Sequence, residues 1–244
     1  MAKKFLFLLI VLIQSAVLSQ ADYQRIKVSD DIEVIKLSEK AYVHVSVSEM
    51  EGFGKVASNG LLLVDQGEAF LFDTPVTNEQ TEALAKWITN SLHARIIKFV
   101  PTHWHQDCMG GLAYLHKQGV ESYANVKTVE IAKTKRLPQP NHSFSDALTL
   151  RLHGTEALCW FPGGGHAVDN IIVWIPSEKI LFGGCMVKDA KATSLGNVAD
   201  GDLHAWPKTI AAVQGRFPEA RIIIPGHGEI GGQELLTHTR ELLK

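Results

Sequence analysis

Short apolar runs set between glycine and proline turns dominate the chain, and they read as strands. Residues 41–47 alternate Tyr42, His44 and Ser46 with Val43, Val45 and Val47, the period of a strand with two unlike faces. Residues 61–64 and 69–72 are continuous apolar runs joined by Asp65-Gln66-Gly67, a hairpin signal. Residues 48–54, where Gly52 and Gly54 flank Phe53, read as a turn. The period changes over 78–90, where Ala83, Leu84, Trp87 and Ile88 form the apolar stripe of a helix. A buried-type strand over 95–100 stops at Pro101. Helices over 111–118 and 126–135 flank a short strand at 123–124, and Pro138 and Pro140 mark a loop. The second half repeats the style, with strands over 157–161, 170–175, 180–182 and 221–224, an amphipathic segment over 203–214 and a terminal helix over 234–243. Both halves run strands, helix, strands with no linker between them. This predicts an α/β chain of two similar αβ layers, sheet packed on sheet with helices outside.

The first segment stands apart. Lys3 and Lys4 precede nine unbroken apolar residues, 5–13, and Ser19 and Ala21 put small residues at −3 and −1 of a cut after Ala21. This is the pattern of a cleaved secretory signal over 1–21, which leaves 22–244 as one domain in the periplasm or outside the cell. The apolar run falls short of the roughly 20 residues that span a bilayer, and no cysteine follows it to carry a lipid, so no stable membrane anchor is expected. Removing the two lysines leaves 22 basic and 26 acidic residues, a net charge of −4, which argues against a nucleic-acid partner. Three cysteines in 244 residues are too few for a disulfide framework, and a chain of this length buries its core without one. No interface signal stands out, and a monomer is expected.

The chemistry gathers where strands end. The strand over 95–100 runs into His103-Trp104-His105-Gln106-Asp107, and three other strand ends reach His166, Cys185 and His227, each beside glycine. Side chains at neighbouring strand ends converge on one sheet edge, and glycines let the backbone approach an ion closely. Imidazole, carboxylate and thiolate are the groups that Zn²⁺ takes, and six of them suffice for two ions. His44, His93, His116, His142, His153, His204 and His238 show no ligand spacing, and Cys159 reads as a buried apolar residue.

These motifs resemble the metallo-β-lactamase superfamily, and within it the class B β-lactamases of subclass B1. The matching stretches are THWHQD at 102–107, PGGGHAVDNIIVW at 162–174, ILFGGCMVKD at 180–189, LGN at 195–197 and IPGHG at 224–228, with GFG at 52–54 and LFDTP at 71–75 also similar. Most of the wider superfamily has a second histidine after the Asp, where this chain has Cys108; that change together with Cys185 points to B1. The resemblance implies a four-layer αβ/βα sandwich. It implies two Zn²⁺ ions, one held by His103, His105 and His166, the other by Asp107, Cys185 and His227. It further implies hydrolysis of the β-lactam amide of antibiotics by a metal-bound hydroxide, with Asp107, Lys188 and Asn197 in the catalytic machinery. Lys188 would pair with the substrate carboxylate, Asn197 would lie near the lactam carbonyl, and Phe53 would tip a mobile flap over the drug. The alternatives are another dizinc hydrolase of the superfamily, acting on a thioester, lactone or phosphodiester, and a non-catalytic periplasmic zinc-binding protein. Asp73 is expected to orient a zinc ligand, to cap the helix beginning near Asn78 or to close the following loop. Cys108, where many B1 members have a basic or small polar residue, is expected close to the second zinc. Val76 stands where the family often has Trp.

Overall fold

The computed structural model describes residues 23–50 and 52–244; the expected leader lies outside them. The first half lays down β1 (Gln24–Lys27), β2 (Ile32–Lys36), β3 (Ala41–Met50), β4 (Gly54–Asp65), β5 (Glu68–Phe72), α1 (Asn78–Ser91), β6 (Arg95–Val100), α2 (Gln106–Met109), α3 (Leu112–Lys117), β7 (Glu121–Asn125), α4 (Val126–Lys135) and β8 (His142–Phe144). The second half has β9 (Ala147–Leu152), β10 (Thr155–Trp160), β11 (Ile172–Ile175), β12 (Ile180–Gly184), α5 (Trp206–Arg216), β13 (Ile222–Pro225) and α6 (Gln233–Leu242). The strands form an eight-stranded sheet in the order β1 to β8 and a five-stranded sheet in the order β13-β12-β11-β10-β9.

Strand alternation divides the core into three layers. Val43, Leu61, Leu63, Phe70 and Phe72 point from the first sheet towards Val173, Ile175, Ile180 and Phe182 of the second. Their strand neighbours Tyr42, Leu62 and Leu71 face the other way, onto Leu84 and Ile88 of α1 and Leu112 and Leu115 of α3. Trp174, Leu181 and Ile223 likewise turn away from the seam, onto Ile210 and Val213 of α5 and Leu235 and Leu236 of α6. Helix, sheet, sheet, helix is the expected αβ/βα sandwich.

Two differences from the sequence reading have simple causes. β3 and β4 run on through residues 48–50 and 54–58, pairing as far as Met50 with Gly54, so the expected turn shrinks to a tight tip bearing Phe53. The polar residues there hid a projecting ribbon whose outer half has no core to face. α1 is capped by Thr77, whose side chain accepts the N–H of Gln80, so Asp73 is free for another task.

His44, expected to be a bystander, is completely enclosed, and burial drops its pKa to about 4. Between pH 6.5 and 4 the unfolded chain takes up a proton that folded His44 refuses, so stability falls with pH across that window, by about 3 kcal/mol from this group alone. Urea unfolding of the metal-free protein at pH 7 and pH 4 is expected to show a shallower loss in His44→Gln than in the native chain.

Candidate metal centre

The parallel pairs β5·β6 and β12·β13 bring four strand ends to one edge of the sandwich. Asp73 follows β5 and Thr102 follows β6. The Asp73 backbone sits in the left-handed region at φ 59°, and its carboxylate accepts the Thr102 N–H at 2.5 Å and the Thr102 hydroxyl at 2.7 Å. This buried clamp fixes the chain just before His103. Burial pushes the Asp73 carboxyl well up, against the pull of those two hydrogen bonds. From the second sheet, Cys185 follows β12 and His227 follows β13. A Cβ on Gly226 would lie 2.4 Å from the Cys185 sulfur, so only glycine lets the two segments pass so closely. The flap strand β4 also grips this edge: the His227 Nδ1 bonds the Ala57 carbonyl at 2.9 Å, and the Asn59 amide donates to the Pro225 and Gly228 carbonyls at 2.9 and 3.0 Å.

The six expected donors converge in two adjoining groups. His103 Nε2 and His166 Nε2 lie 2.9 and 3.2 Å from His105 Nδ1. Asp107 Oδ2 is 3.2 Å from His227 Nε2 and 3.6 Å from Cys185 Sγ, and Cys185 Sγ is 3.4 Å from His227 Nε2. A tetrahedral zinc with bonds of about 2.0–2.1 Å to nitrogen and 2.3 Å to sulfur separates its donors by roughly 3.3–3.6 Å. The group of Asp107, Cys185 and His227 matches that span to within about 0.1 Å, while the histidine group is drawn tighter, at 2.9 and 3.2 Å, and opens by a few tenths of an ångström to seat an ion; their nitrogen, oxygen and sulfur donors suit zinc, so these residues fit it.

Electrostatics divide the two groups. Burial, with the neighbouring imidazoles, holds His103 well below its ordinary pKa; burial, with Lys188 nearby, takes His166 to about 3. Both rings are therefore neutral and able to donate lone pairs at neutral pH. In the other group, burial alone would raise Asp107, but the His227 hydrogen bond and the His103 ring hold its carboxyl well below the usual range. The Cys185 thiol is pulled down to about 6, first by a hydrogen bond from Cys108. Burial opposes charge on His227, yet Cys185 and Asp107 hold its pKa well above normal. The first group thus holds two neutral rings, His103 and His166, and the second sets two anions, Asp107 and Cys185, around His227.

Other expected residues fall in different places. Lys188 is half-buried beside this centre, its Nζ 5.4 Å over the Trp206 ring. Phe53 is 61% exposed at the ribbon tip. Asn197 stands exposed, and its Oδ1 accepts the Ala199 N–H at 3.1 Å, the bond of a loop asparagine holding its own turn. Cys108 is buried, with Sγ 3.2 Å from His103 Nδ1 and 3.9 Å from Asp107 Oδ1. It therefore lies beneath both groups rather than beside the second alone, and burial raises its thiol pKa strongly. Asp200 escaped the sequence reading: its carboxylate meets His105 Nε2 at 3.0 Å, on the side of the ring facing away from the donor cluster. An acidic residue in a polar loop far along the chain carries no signal of such a partner.

A family model described as the metallo-beta-lactamase superfamily matches residues 53–227. A Bacteroides fragilis protein named metallo-beta-lactamase type 2 is 51% identical over 241 residues, covering 98% of this chain and 96% of the relative. The solved metallo-beta-lactamase from Pontibacter korlensis superposes with a TM-score of 0.84 at 41% identity, covering 87% of this chain and 98% of that one. A Pseudomonas aeruginosa metallo-beta-lactamase solved in its mono-zinc form gives 0.81 at 35% identity, covering 89% and 97%. The chain belongs to the metallo-β-lactamase superfamily, among its class B enzymes, and it is a hydrolase that carries candidate metal-binding residues.

Proposed function

We propose that this protein is a dizinc β-lactamase that opens the amide of penicillins, cephalosporins and carbapenems in the periplasm, where it works as a single-domain monomer after loss of residues 1–21. The observation that carries the reading is the pair of adjoining donor groups, one of three imidazoles and one with two anions, beside the β3–β4 ribbon and Lys188. His103, His105 and His166 would hold one zinc, and Asp107, Cys185 and His227 the other. Bound there, zinc supplies a Lewis acid that polarises a carbonyl and lowers the pKa of water towards ~7.

The chain's own residues supply the rest. The Lys188 ammonium pairs with the carboxylate that β-lactams carry next to the ring, and so sets the amide against the donor groups. The Asn197 side chain spends its oxygen on Ala199 and keeps its N–H donors for charge developing on the lactam oxygen. Asp107, kept ionised by His227, provides an anionic oxygen inside the site. Phe53 closes over the apolar face of the drug and excludes water. The chain has no G-x-S-x-G or S-x-x-K sequence, so no acyl-enzyme is formed on serine.

A chromogenic cephalosporin separates this reading from its rivals. Turnover is expected in the zinc-loaded enzyme, with loss on chelation and return on adding zinc; turnover that survives complete metal removal refutes the scheme. Loaded protein that opens no lactam leaves a zinc-binding protein or a hydrolase of a thioester, lactone or phosphodiester. Phe53→Ala is expected to raise KM by roughly tenfold, a partial loss of the ~1.5–3 kcal/mol that burying a large apolar side chain provides, with metal content unchanged by elemental analysis.

A further inference from the structure

The clamp on His103 rests on a second, deeper support that the reaction does not use. His44 Nε2 lies 3.0 Å from the backbone carbonyl of Asp73, the residue whose side chain grips Thr102. A carbonyl only accepts, so Nε2 carries the proton and Nδ1 is left as an acceptor. The ring sits directly on Gly60, its register partner across β3 and β4: a Cβ there would be 2.0 Å from Nε2, so the close seat requires glycine. One pair further along the same sheet face, Ser46 stands opposite Ser58. All three residues are buried, and His44 Nδ1, Ser46 Oγ and Ser58 Oγ have no partner within the described protein. Buried polar atoms of this kind are satisfied by internal water, and three on one face give such a water both a donor's and an acceptor's role.

We propose that His44 is a positioning residue of the metal centre: the Asp73 carbonyl fixes its tautomer, an internal water held by Ser46 and Ser58 satisfies its Nδ1, and its Nε2–H holds the Asp73 turn that sets Thr102 and His103. The inference rests on His103 being a zinc ligand. It also joins the flap to the metal. β3 and β4, which bear Phe53 at their tip, hold Asp73 through His44 and hold His227 through Ala57.

The test is the rate at which zinc-loaded protein gives up zinc to an excess of a coloured chelator, read beside kcat and KM. His44→Phe keeps the ring and removes the donor; His44→Gln keeps an N–H donor at the Nε2 position. His44→Phe is expected to release zinc roughly tenfold faster, the low end of the loss seen when a direct partner of a ligand is removed, because it acts through Asp73 and Thr102, with kcat reduced and KM near native. His44→Gln should restore slow release, and the double change Ser46→Ala, Ser58→Ala should fall between. Leu62→Ala, on the same sheet face but in the apolar layer under α1 and α3, serves as a control that lowers thermal stability without speeding release. Native release from His44→Phe, or release from His44→Gln as fast as from His44→Phe, overturns the inference. Should His44→Phe not fold, native release from the serine double variant overturns it equally. A native chain that binds zinc and opens no β-lactam defeats the proposed function and leaves this inference standing.

Discussion

Asp107→Asn will lose the cation of the second group and most of its turnover. The change preserves side-chain volume and removes one charge. Asp107 is the hub of its group, 3.2 Å from His227 and 3.6 Å from Cys185, and its carboxyl is held well below the usual range, so it is ionised at every working pH. An amide can offer a neutral oxygen but no charge, which leaves Cys185 as the one anion facing that cation. Replacing a partner behind a ligand costs about 10–100-fold in metal affinity, so replacing the ligand itself should cost more than about 100-fold. Elemental analysis after dialysis should find one zinc per chain rather than two, and kcat/KM should fall by a comparable factor. Full occupancy after dialysis, with native turnover, would show that Asp107 is not a ligand.

The second large effect is expected at Asp200, which touches no expected substrate. Its carboxylate accepts the Nε2 proton of His105 at 3.0 Å, while Nδ1 of the same ring faces His103 and His166. That bond fixes the tautomer that presents a lone pair to the metal, and it makes the imidazole a stronger donor. Asp200→Ala frees the ring to turn or to carry its proton on the wrong nitrogen. Metal affinity of the three-histidine group should fall about 10–100-fold, with activity restored at raised zinc concentration. Asp200→Asn should fall between, since an amide oxygen can still accept the proton. Titration against a competing chelator measures the shift. An Asp200→Ala chain with native affinity would reduce the contact to an exposed ion pair.

How far these features could be read from sequence depended on where the physical signal lies. β5, β11 and β12 are buried on both faces, so they stand out as apolar runs. β1 and β9 went unread because their residues are mostly exposed, polar and apolar mixed, and β9 is an edge strand. α2 is a single turn, too short to show a period. The six expected donors could be picked out because β6, β12 and β13 stop just before five of them, while His166 sits in the glycine-rich loop between β10 and β11. His44 and Asp200 could not, because their importance comes from a backbone carbonyl and a ring nitrogen brought to them by folding, and nothing local marks either one. Cys108 was placed near one cation by its neighbour in sequence; the helical turn after Asp107 keeps it near that group and also tucks it under the His103 ring.

Three of the donors, His103, His105 and Asp107, follow a strand of the large sheet, and the other three belong to loops of the small one. An ion shared across that division would act as a clasp on the sandwich. At a free zinc concentration 1,000 times Kd, an ion held there would add about 4 kcal/mol against any opening that parts the sheets. A cell that starves the compartment of zinc would thus do more than silence the enzyme: it would loosen the hold of one half on the other and expose the chain to proteases, so that scarcity of the metal and disappearance of the protein go together.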